Sequence, residues 1–258
     1  MDFKTNELEF KAIIKANQLL SKNCIDYPDE INIENIALLE NCIIKESSLQ
    51  GHLGRILSTS ETAVITVEES LELGHKNFVK MHELGHYVFE KTLSILSCDD
   101  SDLRNSKNFK EALPNQFAAE FLMKRDWFTE FISGKELDFN LMIETSSFFN
   151  TSLMSCCIIL TQLTDKAVAF VFTRDGKIKW KAFSSSFPFW KFNNKLNDLS
   201  YTSDYFKNGK KVTTVNEVDV DAWFRNDNAR RAGDRILEEN FYMPKYNGVL
   251  TMLKGGDA

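Results

Sequence analysis

The sequence predicts an α+β protein built from unlike parts, and three observations carry that reading. Apolar residues recur at helical spacing as far as Leu163, and short β-branched runs interrupt them. After Asp165 the texture changes to alternating, strand-like runs rich in aromatic residues. The 258 residues are 43% hydrophobic, 12% aromatic and 26% charged, with 11 Gly and 4 Pro. That composition fills a core and excludes collagen-like, low-complexity and wholly disordered chains.

The elements follow in order. Leu8, Phe10, Ile13, Ile14, Leu19 and Leu20 predict a helix over Phe3–Leu20. Asp26-Tyr27-Pro28-Asp29 reads as a turn, with a short helix over Ile31–Leu39 after it. Strands are expected around Ile43-Ile44 and over Thr62–Val67, with tight turns at Gly51 and Gly54 between them. Helical spacing returns from Phe78 to about Leu93, and the polar run Cys98–Asp102 reads as a surface loop. A further helix covers Phe109–Met123. Residues 138–163 form two helices broken near Asn150-Thr151-Ser152, with Ser152 capping the second. Ala167–Phe172 and Lys177–Lys181 read as a hairpin turning at Asp175-Gly176, and a last strand is expected at Val249–Leu253. No internal repeat is visible.

The net charge is −6, which excludes a general affinity for nucleic acid. Residues 1–150 carry 15 basic against 25 acidic side chains and residues 151–258 carry 16 against 12, so the halves do different jobs. Five cysteines (Cys24, Cys42, Cys98, Cys156 and Cys157) without a C-x-x-C spacing fit neither a disulfide framework nor a cysteine-built zinc site. The opening MDFKTNELEF lacks the apolar stretch of a signal peptide, and no run approaches the roughly 20 apolar residues of a membrane span. The expectation is a reduced, soluble, cytoplasmic protein with no membrane partner.

His82-Glu83-Leu84-Gly85-His86 is an HExxH motif within a helical segment. Residues four apart share a helix face, so both imidazoles reach one metal ion. Zinc suits this chemistry, with three protein ligands and a fourth position left for water. Glu83 projects about 100° away from His82, beside the ion rather than on it, where it works as a general base and then as a general acid. His52 and His75 read as ordinary loop residues. The third ligand comes from EALPNQFAAEFLMK: Glu111 is the first candidate and Glu120 the fallback, about 180° away on an unbroken helix. Only one of them can face the metal. Pro114 suits a first helical turn, which sets Glu111 just before the helix or at a kink. Asn115, one turn beyond Glu111, is the candidate to hold a ligand in place.

HELGH followed by E-x-x-x-N-x-F-A-A-x-x-L-M resembles the ImmA/IrrE family of zinc metallopeptidases. The likeness extends to Pro28, the Ile31–Leu38 helix, Gly51-His52-Leu53-Gly54, the Ala63–Val67 strand, FFNTSLMSCCIILTQL and AFVFTRDGKIKW, and so spans residues 10–180. Two departures stand out. Asn77-Phe78-Val79-Lys80-Met81 replaces the family's Arg-Phe-Thr and apolar pair, and Lys124 replaces the Pro after Leu-Met. The resemblance implies one catalytic Zn2+ held by His82, His86 and Glu111, with Glu83 catalytic. It also implies a zincin-like metallopeptidase domain (a small sheet plus active-site helices) at 1–135, a helix-turn-helix-like helical segment at 136–165 and a mixed α/β C-terminal accessory domain, sensor-like in some relatives, at 166–258.

The activity so implied is selective cleavage of a partner protein, a helix-turn-helix repressor of a stress, phage or mobile-element operon. The alternative is a non-proteolytic, zinc-containing partner-binding, antitoxin-like or sensor protein. Tyr87, Lys80, Lys124 and Arg125 are polar candidates for steadying the reacting oxygen, and Thr62–Val67 for pairing with an extended substrate. Direct DNA binding is not expected, because Leu153–Leu163 carries Cys156-Cys157-Ile158-Ile159-Leu160 where a recognition helix needs polar side chains. The aromatic run Phe187–Phe192 reads as core or pocket lining. Arg225, Arg230, Arg231 and Arg235 read as the solvated side of a helix.

Overall fold

Helix α1 (Phe3–Lys22) is built around small residues. Ala12 and Ala16 are fully buried and, with Leu19 and Leu20, form the stripe that packs on α4 (Phe109–Leu122). Phe10 and Ile14, expected inside, are exposed. Two alanines let the helices approach closely, which rotates the larger side chains off the contact. The computed structural model describes residues 3–91, 94–99, 102, 109–225 and 234–255. It divides into two units, Met1–Ser133 with Glu144–Ser155 and Gly134–Ile143 with Cys156–Ala258.

In the first unit, Asn32 caps α2 (Ile33–Leu39) by accepting from the Asn35 amide at 2.9 Å. The sheet comprises β1 (Cys42–Ser47), β2 (Gly54–Ser58), β3 (Ala63–Glu68) and β4 (Ser94–Cys98), in the order β1-β3-β2-β4. Strand β3 runs parallel to β1 and antiparallel to β2, and it buries Ala63, Ile65 and Val67 on the side where α3 (Leu73–Phe89) packs. Both edges of β3 are thus taken, and it cannot receive an added strand as the sequence suggested; the outer strand on the β2 side is β4. Gly54 opens β2 rather than making a turn, whereas Gly51, at φ +107°, does sit in one. Cys98 closes β4 and is buried, not part of a surface loop.

Pro114 lies inside α4, so Glu111 is in the first helical turn rather than before it. Helix α5 (Arg125–Ile132) follows. The boundary between the units falls within α6 (Phe139–Phe148) and α7 (Leu153–Leu163). Asn150, at φ +49°, breaks the pair, and Ser152 Oγ accepts from the Ser155 amide at 3.1 Å to start α7. Cys156, Cys157, Ile159 and Leu160 are buried.

The second unit holds a five-stranded antiparallel sheet, ordered β6-β5-β9-β8-β7, from β5 (Val168–Arg174), β6 (Lys177–Phe183), β7 (Asn216–Asp219), β8 (Arg235–Met243) and β9 (Gly248–Gly255). Asp175 and Gly176, both at positive φ, make the β5–β6 turn. Helix α8 (Tyr201–Asn208) lies between β6 and β7 and is capped by Ser200. Phe187, Phe189 and Phe192 pack with Trp223 and Phe224 in the core, while Trp190 is exposed. Glu238 is buried but satisfied, accepting from Trp223 Nε1 and the Thr202 amide, each at 2.9 Å, and from Asn240 Nδ2 at 2.8 Å. The arginine run is not a described helix side: Arg235 opens β8, Arg225 is in irregular backbone, and Arg230 and Arg231 lie outside the described residues.

Candidate metal centre

Gly85 decides how near α4 comes to α3. A Cβ there would stand 3.0 Å from Pro114 Cα and 3.1 Å from the Phe117 ring, so the helix surfaces meet where HELGH has no side chain. Glu111, three residues before Pro114, is thereby brought to both histidines. His82 Nε2, His86 Nε2 and Glu111 Oε2 form a triangle with all three sides 3.2 Å.

That triangle fits a metal ion. Its centre lies about 1.85 Å from each corner, a spacing compatible with the roughly 2.0–2.2 Å that zinc takes with nitrogen and oxygen. Two imidazoles and one carboxylate are also a donor set suited to zinc. The nearness of His82 and then of His86 holds the Glu111 carboxyl down to about 2, so it is charged and ready to ligate. His82 is sealed from solvent, whereas the side chains of His86 and Glu111 keep 13% and 16% of their exposure; the site opens on their side.

Asn115 Oδ1 lies 2.8 Å from His82 Nδ1, and its Nδ2 donates to the Asp102 carbonyl at 2.9 Å. With its amide nitrogen so committed, Asn115 offers His82 an acceptor. That fixes the proton on Nδ1 and leaves Nε2 with a lone pair facing the triangle. Glu83 is fully buried, and among the described residues neither carboxylate oxygen has a well-formed hydrogen bond, the Cys98 thiol being its polar neighbour. Burial pushes its carboxyl up, and the neighbouring His82 works against that rise. A buried carboxylate so poorly partnered costs stability.

Glu120 is elsewhere. It is buried and receives Asn17 Nδ2 at 3.4 Å and Arg125 Nε at 3.3 Å. Three of the polar oxyanion candidates are also engaged: Lys80 with Glu34 and Glu46, Arg125 with Glu9 and Glu120, and Lys124 over the Trp127 ring. Tyr87 is buried, and that burial above all pushes its hydroxyl up. His52 stays in an exposed loop, and His75 lies in the first turn of α3 rather than in a loop.

Two residues at the site were not singled out from sequence. Cys98 groups with His82 and Glu83, their donor atoms all within 4.8 Å of one another. Burial and the Glu83 charge push its thiol far up, so it is a neutral neighbour of the carboxylate rather than a thiolate ligand. Gly54 is the other. Its place opposite Cys98 follows from the register between β2 and β4, for which the sequence carries no local signal.

Residues 41–160 match the peptidase-family model described as the IrrE N-terminal-like domain. That stretch is similar to an IrrE N-terminal-like domain. The match begins before β1 and ends in α7, and it contains every residue of the triangle as well as Glu83, Asn115, Gly54 and Cys98. A solved structure described as a Mycobacterium tuberculosis transcriptional regulator is similar in fold, with a TM-score of 0.59 and 12% identity. That likeness covers 98% of this chain and 81% of the other. The comparison with curated proteins yields no match. An IrrE N-terminal-like domain is of metallopeptidase type, and its possible metal ligands are the groups described above. Among the described residues no single helix is long and apolar enough to cross a membrane.

Proposed function

We propose that this protein is a zinc-dependent endopeptidase that cleaves one partner protein selectively, and that the partner is a DNA-binding repressor. The observation carrying the reading is the 3.2 Å triangle of His82, His86 and Glu111 with the buried carboxylate of Glu83 beside it. Zinc held by those three residues would polarise a peptide carbonyl and acidify water.

The chain's own residues do the rest. Glu83 takes a proton from the attacking water and delivers it to the departing amine, and its burial strengthens its hold on that proton between the two steps. Asn115 keeps His82 in one tautomer and one orientation. Strand β4, outermost in its sheet and ending at Cys98 beside Glu83, offers an extended substrate a backbone edge to pair with. The exposed Ile95 and Leu96 on that strand supply apolar contacts. The repressor as substrate rests on the family domain and on the name of the structural neighbour.

The test compares cells expressing wild type with cells expressing Glu83→Gln, mapping protein N-termini by mass spectrometry with and without genotoxic stress. A few new termini in one DNA-binding protein, absent from the cells that carry the substitution, are expected. Identical termini in both, with folded and zinc-loaded protein, would overturn the proposal.

A further inference from the structure

Gly54 and Cys98 are directly opposed across β2 and β4, and this rung forms the wall behind Glu83. A Cβ on residue 54 would stand 2.5 Å from Glu83 Oε1, 2.7 Å from Val79 Cγ1 and 3.0 Å from Cys98 Sγ. A methyl group cannot be accommodated at 2.5 Å from an oxygen. The carboxylate occupies the volume that any side chain at position 54 would need.

We propose that Gly54 is a positioning residue for Glu83: the absence of its side chain is what seats the carboxylate against the sheet, beside the metal ligands. The proposal rests on the reading of Glu83 as the base. Of the two atoms under 3.0 Å, Glu83 Oε1 is the nearer and ends a flexible side chain that can swing away, whereas Val79 Cγ1 must give by a small shift of its own. None of the three atoms nearest that Cβ belongs to His82, His86 or Glu111, so relief through the Glu83 side chain leaves the triangle in place. A folded, metal-binding protein with a displaced base is the result.

The experiment is a double-mutant cycle between Gly54→Ala and Glu83→Ala on the full chain, read by chemical denaturation without metal and by zinc stoichiometry. Gly54→Ala is expected to lower the folding equilibrium constant in the wild-type background and to do so at least about fivefold less in the Glu83→Ala background. Zinc stoichiometry should stay unchanged in Gly54→Ala. Equal losses in both backgrounds would overturn the proposal, as would coupling that appears only with Val79→Ala. If Gly54→Ala does not fold, recovery of folding in the double variant supports the proposal, and failure of both overturns it. Cleavage of the repressor found by N-terminal mapping is a separate arm. There Gly54→Ala should lose at least about a hundredfold in kcat, as expected for losing a general base, with zinc retained. If wild type cleaves nothing, the protease reading fails while the cycle still decides the seating of Glu83.

Discussion

Asn115 Oδ1 and His82 Nδ1 stand 2.8 Å apart, joining the first turns of one helix to the motif of another through a single side-chain contact. The asparagine is itself fixed by its bond to the Asp102 carbonyl, so the imidazole is oriented by a group that has little freedom to turn. Asn115→Ala should weaken zinc binding about 10–100-fold, the usual penalty for losing a partner of a ligating histidine. Competition with a chelator measures it, and an affinity equal to wild type would remove Asn115 from the site.

The two glutamates of α4 give opposite expectations. Glu111→Ala should abolish stoichiometric zinc, whereas Glu120→Gln should leave it intact, because Glu120 is tied to Asn17 and Arg125. Elemental analysis of the purified variants decides between them, and zinc lost from Glu120→Gln alone would reverse the assignment.

Gly85→Ala tests the contact between the helices. Its Cβ would press on Pro114 Cα at 3.0 Å, a backbone atom that cannot swing aside. Overpacking of this kind costs about 1–3 kcal/mol, and here it also draws Glu111 away from the histidines. Reduced unfolding midpoint together with weakened zinc binding is the expected pair of results; loss of stability with unaltered zinc affinity would separate the two.

The buried Lys80 ammonium meets Glu34 at 2.6 Å and Glu46 at 3.1 Å. Burial works to raise the Glu34 carboxyl but is outweighed by the bond to Lys80, a backbone hydrogen bond and the Lys80 charge together, and Glu46 is lowered by Lys76 and then by Lys80. Burial likewise opposes charge on Lys80 and is outweighed by the two carboxylates, so its ammonium is held above the ordinary lysine range. Both carboxyls lie below their ordinary 4.5, so their contribution is complete above that pH and is lost as pH falls through the lowered values. The lysine contribution is complete below its ordinary 10.5 and is lost as pH rises through the raised value. Replacing both glutamates by glutamine keeps an acceptor for the ammonium but removes its counter-charges, so stability at neutral pH should fall. The replacement should also flatten the acid limb of the stability curve, which denaturation from about pH 3 to pH 7 measures. An unchanged acid limb would place the acid-sensitive groups elsewhere.

The motif helix was legible because HExxH encodes its own geometry: residues four apart fall about one helical turn apart, whatever the surrounding fold does. Glu111 was harder to place, since Pro114 argued for a helix start and the structure sets it inside α4 instead. Strand β8 was hidden because Glu238, Glu239 and Asn240 occupy its centre, and a buried glutamate reads as strand only once Trp223 and Thr202 are known to satisfy it. The rung of Gly54 and Cys98 was hidden for a different reason. Its partners are far apart in the chain, and register between distant strands is set by the folded sheet rather than by local pattern.

Glu111 belongs to one helix and the two histidines to another, with nothing but a hydrogen at Gly85 between the backbones. An ion that needs all three ligands therefore binds only the docked pair, and the pair is held docked by the ion. By mass action, every tenfold rise in free metal above the dissociation constant adds about 1.4 kcal/mol to that docking. On the proposed zinc reading, the protein's resistance to unfolding would rise and fall with the metal supply of its surroundings.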